Sequence, residues 1–291
     1  MTIDPLGLAG LLDLTGPVRV ANWPDPITAG NVAEILLFEQ YDQLTDAELD
    51  RFQGDVVNAV VDELTTGSLP APSAVAAVLA PAVAGGHLRL WSPNAEEEAL
   101  FERMGADGGQ ARPDADDHLE LVTQNGGENK IDYFLRRSVD YQVSWDPRTG
   151  DTTAVATVTI ENQAPARDVN SVIIGGEDGS PTAAGENRIF VTIRTPLEVT
   201  GVTDAAGTPM AADLGEQAGM RTVTVVLRIP AESTQTVRIE LAGRLAGGPD
   251  YRLQLGRQPT GFADEITVSA LGATQVVTLD QPTEIVIPTG D

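Results

Sequence analysis

Apolar residues in the first 128 positions recur at the three- and four-residue spacing of amphipathic helices. The clearest example follows the sequence TDAE at 45–48, a capping box in which the Thr45 hydroxyl and the Glu48 carboxylate satisfy free N–H groups at a helix start. Behind it the apolar positions are Leu49, Phe52, Val56, Val60 and Leu64. The pattern therefore predicts a helix from Thr45 to Gly67.

Further segments of this part show weaker helical spacing or alternation. Helices are predicted at 31–41, from Ser73 onward, and from Asn94 to Gly105. The pentapeptides HLRLW (87–91) and HLELV (118–122) instead alternate apolar and polar residues, as half-buried strands do. Helices interleaved with short strands predict an α/β arrangement for residues 1–128.

The pattern changes after Lys130, where β-rich runs replace the helical spacing. YFLRRSVDYQVSW and TTAVATVTIENQ are joined by the turn DPRTGD, which predicts a β-hairpin. Similar runs continue almost to the end of the chain, separated by turn residues. This predicts an all-β, antiparallel sandwich of the immunoglobulin-like kind over 129–291. The expected fold class is thus α+β in two domains, 1–128 and 129–291.

The charge of the chain excludes two classes of partner. There are 43 acidic and 18 basic residues, for a formal net charge of −25. A polyanion is repelled by such a surface, so nucleic acids and anionic membrane surfaces are excluded. No stretch approaches the roughly 20 apolar residues of a membrane span, and no basic segment precedes the first leucines as in a signal peptide. The hydrophobic content of 42% indicates a chain that buries a core.

Several kinds of chemistry are excluded by residues and motifs that the sequence lacks. It has no cysteine, which rules out disulfides, a thiolate nucleophile and cysteine-based metal sites. The serine-hydrolase, P-loop and dinucleotide-binding motifs are absent. His87 and His118 are not spaced as in zinc hydrolases, and we interpret both as surface or interface residues at strand starts. The sequence therefore predicts no cofactor and no catalytic residue of these classes.

Acidic residues cluster in three places without the spacing of a known site. The clusters are Asp114 with Asp116 and Asp117, Glu177 with Asp178, and Asp146 with Asp151. None follows the EF-hand pattern, and we interpret them as solvated turns, although loop carboxylates can still gather a calcium ion. A glycosidase needs two carboxylates about 5–10 Å apart across a cleft, and the sequence singles out no such pair.

Aromatic residues make up only 4% of the chain, so no surface for stacking sugars is visible. The three tryptophans are scattered along the sequence, and each is predicted to be a core residue. They are Trp23, Trp91 and Trp145.

Four parts of the sequence carry a resemblance to a known family. They are DPLGLAGLLDLTGPVRV, AGNVAEILLFEQYDQL with DRFQGDVVNAVVDEL, HLRLWSPNAEEEALFERMGADG, and NGGENKIDYFLRRSVDYQV. Together they resemble an uncharacterised family of membrane-anchored bacterial cell-envelope proteins, a domain of unknown function. The resemblance implies a cytoplasmic piece, one membrane helix and a large outer domain that ends in a β-sandwich. It implies that this chain is the carboxy-terminal part of a longer protein, at the extracellular face of the envelope.

The first half is also distantly similar to the LytR-CpsA-Psr phosphotransferases, which attach glycopolymers from a polyprenyl pyrophosphate carrier to the cell wall. LLDLTGPVRV resembles their strand-entry segment, and DRFQGDVVNAVVDEL resembles the helix with their Asp-x-x-Arg and Arg-Gln pattern. Arginines clamp the pyrophosphate in those enzymes, because guanidinium groups match phosphate oxygens. Asp50 and Arg51 fall on that pattern and are binding residues by resemblance only. Glu39, Gln40 and Tyr41 replace the expected arginine pair.

Two functions of different classes follow. The first is a non-catalytic extracellular ectodomain that binds or scaffolds a cell-wall glycopolymer or an envelope protein, with membrane attachment only through a segment upstream of this chain. The alternative is a fragment of a glycopolymer phosphotransferase that acts on a polyprenyl-pyrophosphate-linked substrate. Carboxylates surround Arg51 in the sequence and would repel a pyrophosphate, so we favour the first.

Overall fold

The computed structural model of this chain describes residues 1–109, 116–177, 179–180 and 182–290, with the exception of the Asp46 side chain. Contacts along the backbone divide the chain into a first unit, Met1–Gly109, and a second unit, Gln110–Asp291. Helices dominate the first unit and strands dominate the second, so the protein is of the α+β class. Among the described helices, none has both the length and the apolar content needed to span a membrane.

The helices of the first unit follow the predicted apolar spacing. They are α1 (Pro5–Thr15), α2 (Val32–Glu34), a π-helical turn (Ile35–Glu39), α3 (Gln40–Gln43), α4 (Asp46–Thr66), α5 (Pro72–Ala84) and α6 (Ala95–Arg103). The π-helical turn divides the segment predicted as one helix over 31–41 into three pieces. Two short strands, β1 (Thr2–Ile3) and β2 (Leu88–Arg89), pair antiparallel.

Side chains cap these helices where the sequence indicates. At the start of α4, the Glu48 carboxylate accepts hydrogen bonds from the Thr45 N–H at 2.9 Å and from the Thr45 hydroxyl at 2.7 Å. At the start of α6, the Asn94 side-chain oxygen accepts from the Glu96 N–H at 2.9 Å. The contacts donated by the Thr45 and Glu96 N–H groups each satisfy a backbone donor that has no partner inside the helix.

One cluster of buried apolar residues forms the core of the first unit. Its members are Leu8, Leu11, Leu12, Val18, Val20, Trp23, Ile27, Val32, Ile35, Phe52, Val56 and Val60. The leucines near the start of the chain therefore lie in a core. The segment LLDLTGPVRV, which resembles a strand entry, is helical up to Thr15, and Val18 then forms an isolated bridge with Ile27.

The second unit contains two six-stranded sheets. Its strands are β3 (Asp117–Asn125), β4 (Leu135–Trp145), β5 (Asp151–Asn162), β6 (Asn187–Thr195), β7 (Glu198–Asp204), β8 (Asp213–Gln217), β9 (Met220–Ile229), β10 (Ser233–Arg244), β11 (Asp250–Arg257), β12 (Asp264–Ala270), β13 (Ala273–Leu279) and β14 (Thr283–Pro288). The order in the β4 sheet is β13-β12-β4-β5-β10-β7, and in the β3 sheet it is β14-β11-β3-β6-β9-β8. Two single helical turns accompany them, a 3-10 turn (Ile131–Phe134) and α7 (Ser171–Ile174).

The sheets are mixed, not purely antiparallel as the sequence predicts. The predicted hairpin is present, since β4 and β5 pair antiparallel from Trp145 opposite Thr152 onward. However, β11 runs parallel to β3 and β12 runs parallel to β4. Parallel neighbours need a long connection in place of a tight turn, and such connections leave no local signal in the sequence.

The inward faces of both sheets contribute to one hydrophobic cluster. Along β4, for example, every second residue from Leu135 to Trp145 is buried. Inward residues of β6 in the other sheet, such as Ile189 and Ile193, belong to the same cluster. The alternation predicted for this region therefore gives each sheet one face that packs on a shared core.

The division between the units precedes the boundary at 128 that the sequence pattern indicates. The segment HLELV, assigned above to the first domain, lies in β3, whose partners β6 and β11 are both in the second unit. The segment HLRLW contributes only the two residues of β2. A short alternating run identifies a strand, but it does not show which strand it pairs with.

Candidate functional site

Asp50 and Arg51, the residues selected by resemblance, lie on the exposed face of α4. The opposite face of this helix is buried through Phe52, Val56 and Val60. Near them, the pKa of Glu48 is lowered, first by the hydrogen bonds from Thr45 and in smaller part by the charge of Arg51. The structure thus places the Arg51 guanidinium beside a charged carboxylate on the surface of the first unit.

His87 holds two elements of the first unit together. Its Nδ1 lies 2.7 Å from Asp4 Oδ2, and the other Asp4 oxygen caps α1 by accepting from the N–H groups of Leu6 and Gly7 at 2.9 Å each. The Asp4 N–H also donates to the His87 carbonyl at 3.1 Å. His87 follows α5 and precedes β2, so this contact links that junction to the start of α1.

His118 lies in β3 and is only 3% exposed, so it is a buried residue and not a surface residue. Its Nε2 is 3.8 Å from Glu120, which also forms an ion pair with the buried Arg194 of β6. Burial acts to raise the pKa of Glu120, but interactions with His118 and Arg194 outweigh it and lower that pKa. This group therefore keeps a carboxylate charged on the side of β3 opposite the shared core.

Asp117 begins β3 and is completely buried between the two sheets. Its Oδ2 accepts hydrogen bonds from the Tyr141 hydroxyl of β4 at 2.9 Å and from the Tyr251 hydroxyl of β11 at 2.5 Å. Its Oδ1 accepts from the His118 N–H at 2.8 Å. Burial raises the pKa of Asp117 to about 6, although all three hydrogen bonds act to lower it.

A cleft of about 220 Å³ opens beside Asp117. Trp145 forms part of its wall, with its indole N–H donating to the Ala246 carbonyl at 3.1 Å and its ring 5.9 Å from that of Tyr251. Asp116 and Asp250 add carboxylates, and the loop 245–249 completes the wall. The wall also contains Arg252, which pairs with Asp250 at 3.5 Å, and the carboxylate of Asp117 is already engaged by two tyrosines.

A second buried polar group joins the two sheets toward the other end of β3. The Arg137 guanidinium of β4 donates to both oxygens of Asp264 in β12, from Nε at 2.7 Å and from Nη2 at 2.8 Å. Its Nη1 donates to Thr123 Oγ1 of β3 at 2.8 Å and to Gln258 Oε1 at 2.7 Å. Such a two-pronged, fully donated guanidinium holds its partner in one geometry.

Sequence reasoning selected neither Arg137 nor Asp264, and it placed Asp117 in an acidic cluster without recognising that it is buried. A signal for Arg137 exists, since it occupies an inward position in the alternation of β4, between Leu135 and Val139. A charged residue at such a position must find a partner in the core. No local pattern identifies that partner, because Asp264 lies 127 positions further along the chain.

The interpretation of the acidic clusters as solvated turns is wrong for Asp117, which is completely buried in β3. Other described members form hydrogen bonds in a turn or on a strand. Asp146 accepts from the Arg148 N–H at 2.8 Å within the β4–β5 turn, and Asp151 pairs with Arg244 at 2.9 Å. Among the residues that the structure describes, no three carboxylates or histidines come together as a metal site would require. Two members of the clusters, Asp114 and Asp178, lie outside the described residues.

The prediction for the tryptophans is right for two of three. Trp23 is 8% exposed and packs against Phe52 with ring centres 5.0 Å apart, and Trp145 is 7% exposed. Trp91 is 69% exposed, so the prediction that it is a core residue is wrong. It follows β2 and precedes the Ser-Pro-Asn turn that starts α6, where the chain has left the pairing that would bury it.

No family model and no curated protein matches the chain. Several solved structures show a partial likeness, and two of them serve as examples. A candidate nutrient-binding protein from Legionella pneumophila is 8% identical over 52% of this chain and 54% of its own, with a TM-score of 0.33. An M1 zinc metallopeptidase from Deinococcus radiodurans is 14% identical over 50% of this chain and 32% of its own, with a TM-score of 0.26.

The matched regions thus span about half of the first structure and about a third of the second. At TM-scores this low, neither likeness carries an argument about the fold or the function of this chain.

Proposed function

We propose that this chain is a non-catalytic ectodomain at the extracellular face of a bacterial cell envelope, where it binds or scaffolds a surface glycopolymer or an envelope protein. One observation carries the proposal. The buried ionisable groups between the sheets, Asp117 and the pair of Arg137 with Asp264, bond to neighbouring strands. These side chains link neighbouring strands within a β-rich body, whose outer surface and strand edges are then available for contact.

The net negative charge of the chain limits the kinds of ligand that it can bind. The chain carries a formal net charge of −25, and an anionic polymer is repelled unless salt screens the charges. A neutral glycopolymer is not repelled by this negative charge, and a protein with a basic surface is attracted to it. The proposal therefore favours these two chemistries over phosphate-rich polymers.

The proposal includes a finer description of both units. We infer that the two sheets form an immunoglobulin-like sandwich, which is supported by the hydrophobic cluster that they share. We infer that the first unit corresponds to the later part of a larger α/β domain of the LytR-CpsA-Psr kind. The helices interleaved with β1 and β2 support this second point.

The binding proposal is tested by co-sedimentation of the purified chain with bacterial cell walls. One sample keeps its glycopolymer, a second has been stripped of it by acid, and immobilised envelope-protein extract forms a third arm. Retention that requires the polymer supports a glycopolymer ligand. Saturable retention on the protein arm alone supports a protein partner. The absence of retention in all three arms, at low and at physiological salt, would contradict the proposal.

The alternative, a phosphotransferase fragment, is tested with vesicles that contain polyprenyl pyrophosphate. Phosphoryl transfer needs cations around the transferred group, whereas Arg51 lies beside Glu48 on an exposed helix face. We expect neither tight binding nor phosphate release, with or without magnesium. If the chain releases phosphate and Arg51→Ala abolishes this activity, the scaffold proposal is wrong and the chain is part of a phosphotransferase.

A further inference from the structure

Four strands lie at the edges of the two sheets, and one of them differs from the rest. β7 ends in carboxylates, at Glu198 and Asp204, and β8 carries two more. β14 contains a glutamate and ends in Pro288. β13, with the sequence ATQVVTL, has no charge and no proline over seven residues. Charges and prolines on an edge strand block pairing with other chains, and β13 lacks both.

β13 also presents apolar side chains to solvent. Val276 at its centre is 65% exposed. Leu271, in the two-residue turn before it, is 38% exposed and has a φ of 52°, which is uncommon for a residue with a side chain. Thr274 and Thr278 are exposed on either side of Val276. The hairpin of β12 and β13 therefore projects an uncharged, partly apolar margin.

The open backbone groups of β13 follow from its pairing with β12. Ala270 is opposite Ala273 next to the two-residue turn, and that closing pair is hydrogen-bonded in such hairpins. Hydrogen-bonded and non-bonded pairs alternate along an antiparallel ladder. The backbone N–H and C=O groups of Thr274, Val276 and Thr278 consequently point away from β12, toward the open edge.

We propose that β13 pairs antiparallel with β13 of a second copy of this chain, around a two-fold axis at Val276. In this register Val276 faces its own counterpart, and Thr274 faces Thr278 of the other copy. Each contact occurs twice across such an axis, because residue i of one copy meets residue j of the other and the reverse. The outward side chains Thr-Val-Thr place no charge at any of these contacts. Cross-strand threonine and valine pairs favour such a sheet. The β4 sheets of the two copies then form one continuous sheet.

Charge explains why a second copy meets this edge and no other. Pairing β7 or β8 with itself would bring the carboxylates of two copies together, and like charges on facing strands are destabilising. β13 itself carries no charge, so the repulsion at this edge comes from charges elsewhere on two chains of net charge −25. That repulsion is screened over about 8 Å at physiological salt. The dimer therefore strengthens as the salt concentration rises, and it does not depend on the ligand proposed above.

Sedimentation equilibrium of the full chain tests the pairing. We expect a monomer–dimer equilibrium whose association constant increases with salt. Val276→Lys places two like charges at the axis, and Val276→Pro removes an N–H that points to the open edge, so each weakens the dimer by about tenfold or more. Val226→Lys is the matched control, because Val226 is 43% exposed on β9, which lies inside the other sheet.

Thermal unfolding of each variant verifies that it folds. A monomer at every concentration and salt, or equal weakening by Val226→Lys, would overturn the proposal. Assembly beyond a dimer would also overturn it, because a two-fold interface closes at two copies.

A cysteine placed at the axis supplies an independent test. The chain has no cysteine of its own, so any disulfide in Val276→Cys joins two copies. Facing Cα atoms in a hydrogen-bonded pair are about 5.5 Å apart, within the range that a disulfide spans. We expect Val276→Cys to cross-link much faster than Val226→Cys. Equal rates would show that only random collisions occur.

Discussion

Asp117 and Asp264 are carboxylates buried between the same two sheets, and their partners differ. Asp117 accepts from two tyrosine hydroxyls, whereas Asp264 accepts from both prongs of the Arg137 guanidinium. Burial raises the pKa of each, and the cation opposes that rise at Asp264. The same core thus contains Asp264, whose charge is balanced by Arg137, and Asp117, whose hydrogen-bond partners are neutral. The pair of Arg137 with Asp264 holds the two side chains in one geometry. The charge of Asp117 changes with pH.

The largest effect on the free energy of unfolding is expected at the pair of Arg137 with Asp264. Arg137→Met leaves Asp264 buried without its cation, and we expect the free energy of unfolding to fall by about 3–5 kcal/mol in denaturant titrations. The double variant Arg137→Met with Asp264→Leu should recover most of that loss, because it removes both charges. Arg244→Met, which breaks an exposed pair with Asp151, is the control and should change little. A double variant as unstable as the single one would show that geometry, and not charge, dominates.

The next effect concerns Asp117 and its dependence on pH. Its folded pKa of about 6 exceeds the ordinary value of 3.8, so the folded state binds the proton more tightly. The associated stability is present below pH 4 and is lost as the pH rises through 6, in total about 3 kcal/mol. Relative to Asp117→Asn, the natural protein should therefore become less stable from pH 4 to pH 7.

Whereas Asp117→Asn removes the dependence of stability on pH, Tyr141→Phe should increase it. The Tyr141 hydroxyl stabilises the ionised carboxylate, so its removal should raise the pKa of Asp117 further and enlarge the loss above pH 6. Unfolding titrations at four pH values between 4 and 7 distinguish the variants. Identical pH profiles for the natural protein and Asp117→Asn would contradict the assignment.

In the first unit, Asp4 and Asn94 cap helix ends, and the effects expected from removing these caps are smaller. Asp4→Ala removes the cap of α1 and the contact with His87, which should cost about 1–2 kcal/mol. Amide hydrogen exchange should locate the change in α1. Asn94→Ala, which uncaps α6, is the matched control and should affect α6 alone.

The smallest effect is expected on the exposed face of α4. Arg51→Gln should change the free energy of unfolding by no more than about 0.5 kcal/mol, because the side chain lies on the surface. Asp50→Asn serves as its partner in the same denaturant titration. A loss of several kcal/mol would reveal a structural role that the exposed position does not indicate.

The helices of the first unit and the strands of the second were largely predictable. The capping box at Thr45 and Glu48 is confirmed, and so is the hairpin between β4 and β5. Each depends on residues within a few positions of one another, so the information is local. The exposure of Trp91 was not predicted, although the alternation of HLRLW places it on the same face as His87 and Arg89 and opposite Leu88.

The buried polar groups mark the limit of the sequence pattern. Arg137 stands out as a charge at an inward position of β4, but its partner Asp264 is 127 positions away. Asp117 looks like one of several acidic residues in a turn until β4 and β11 bring Tyr141 and Tyr251 to it. The sequence therefore indicates that a charged residue at an inward position needs a partner. Which residue is the partner depends on how distant strands pair.

The amino-acid sequence by itself determined the α+β class, the helix starts and the alternating faces of the strands, because capping and periodicity act over short distances along the chain. Only the tertiary structure decided that HLELV joins the second unit, that β11 and β12 run parallel to β3 and β4, and that β13 lies at an open edge. These outcomes depend on pairing between distant strands, whose register is set by burying both inward faces in one core.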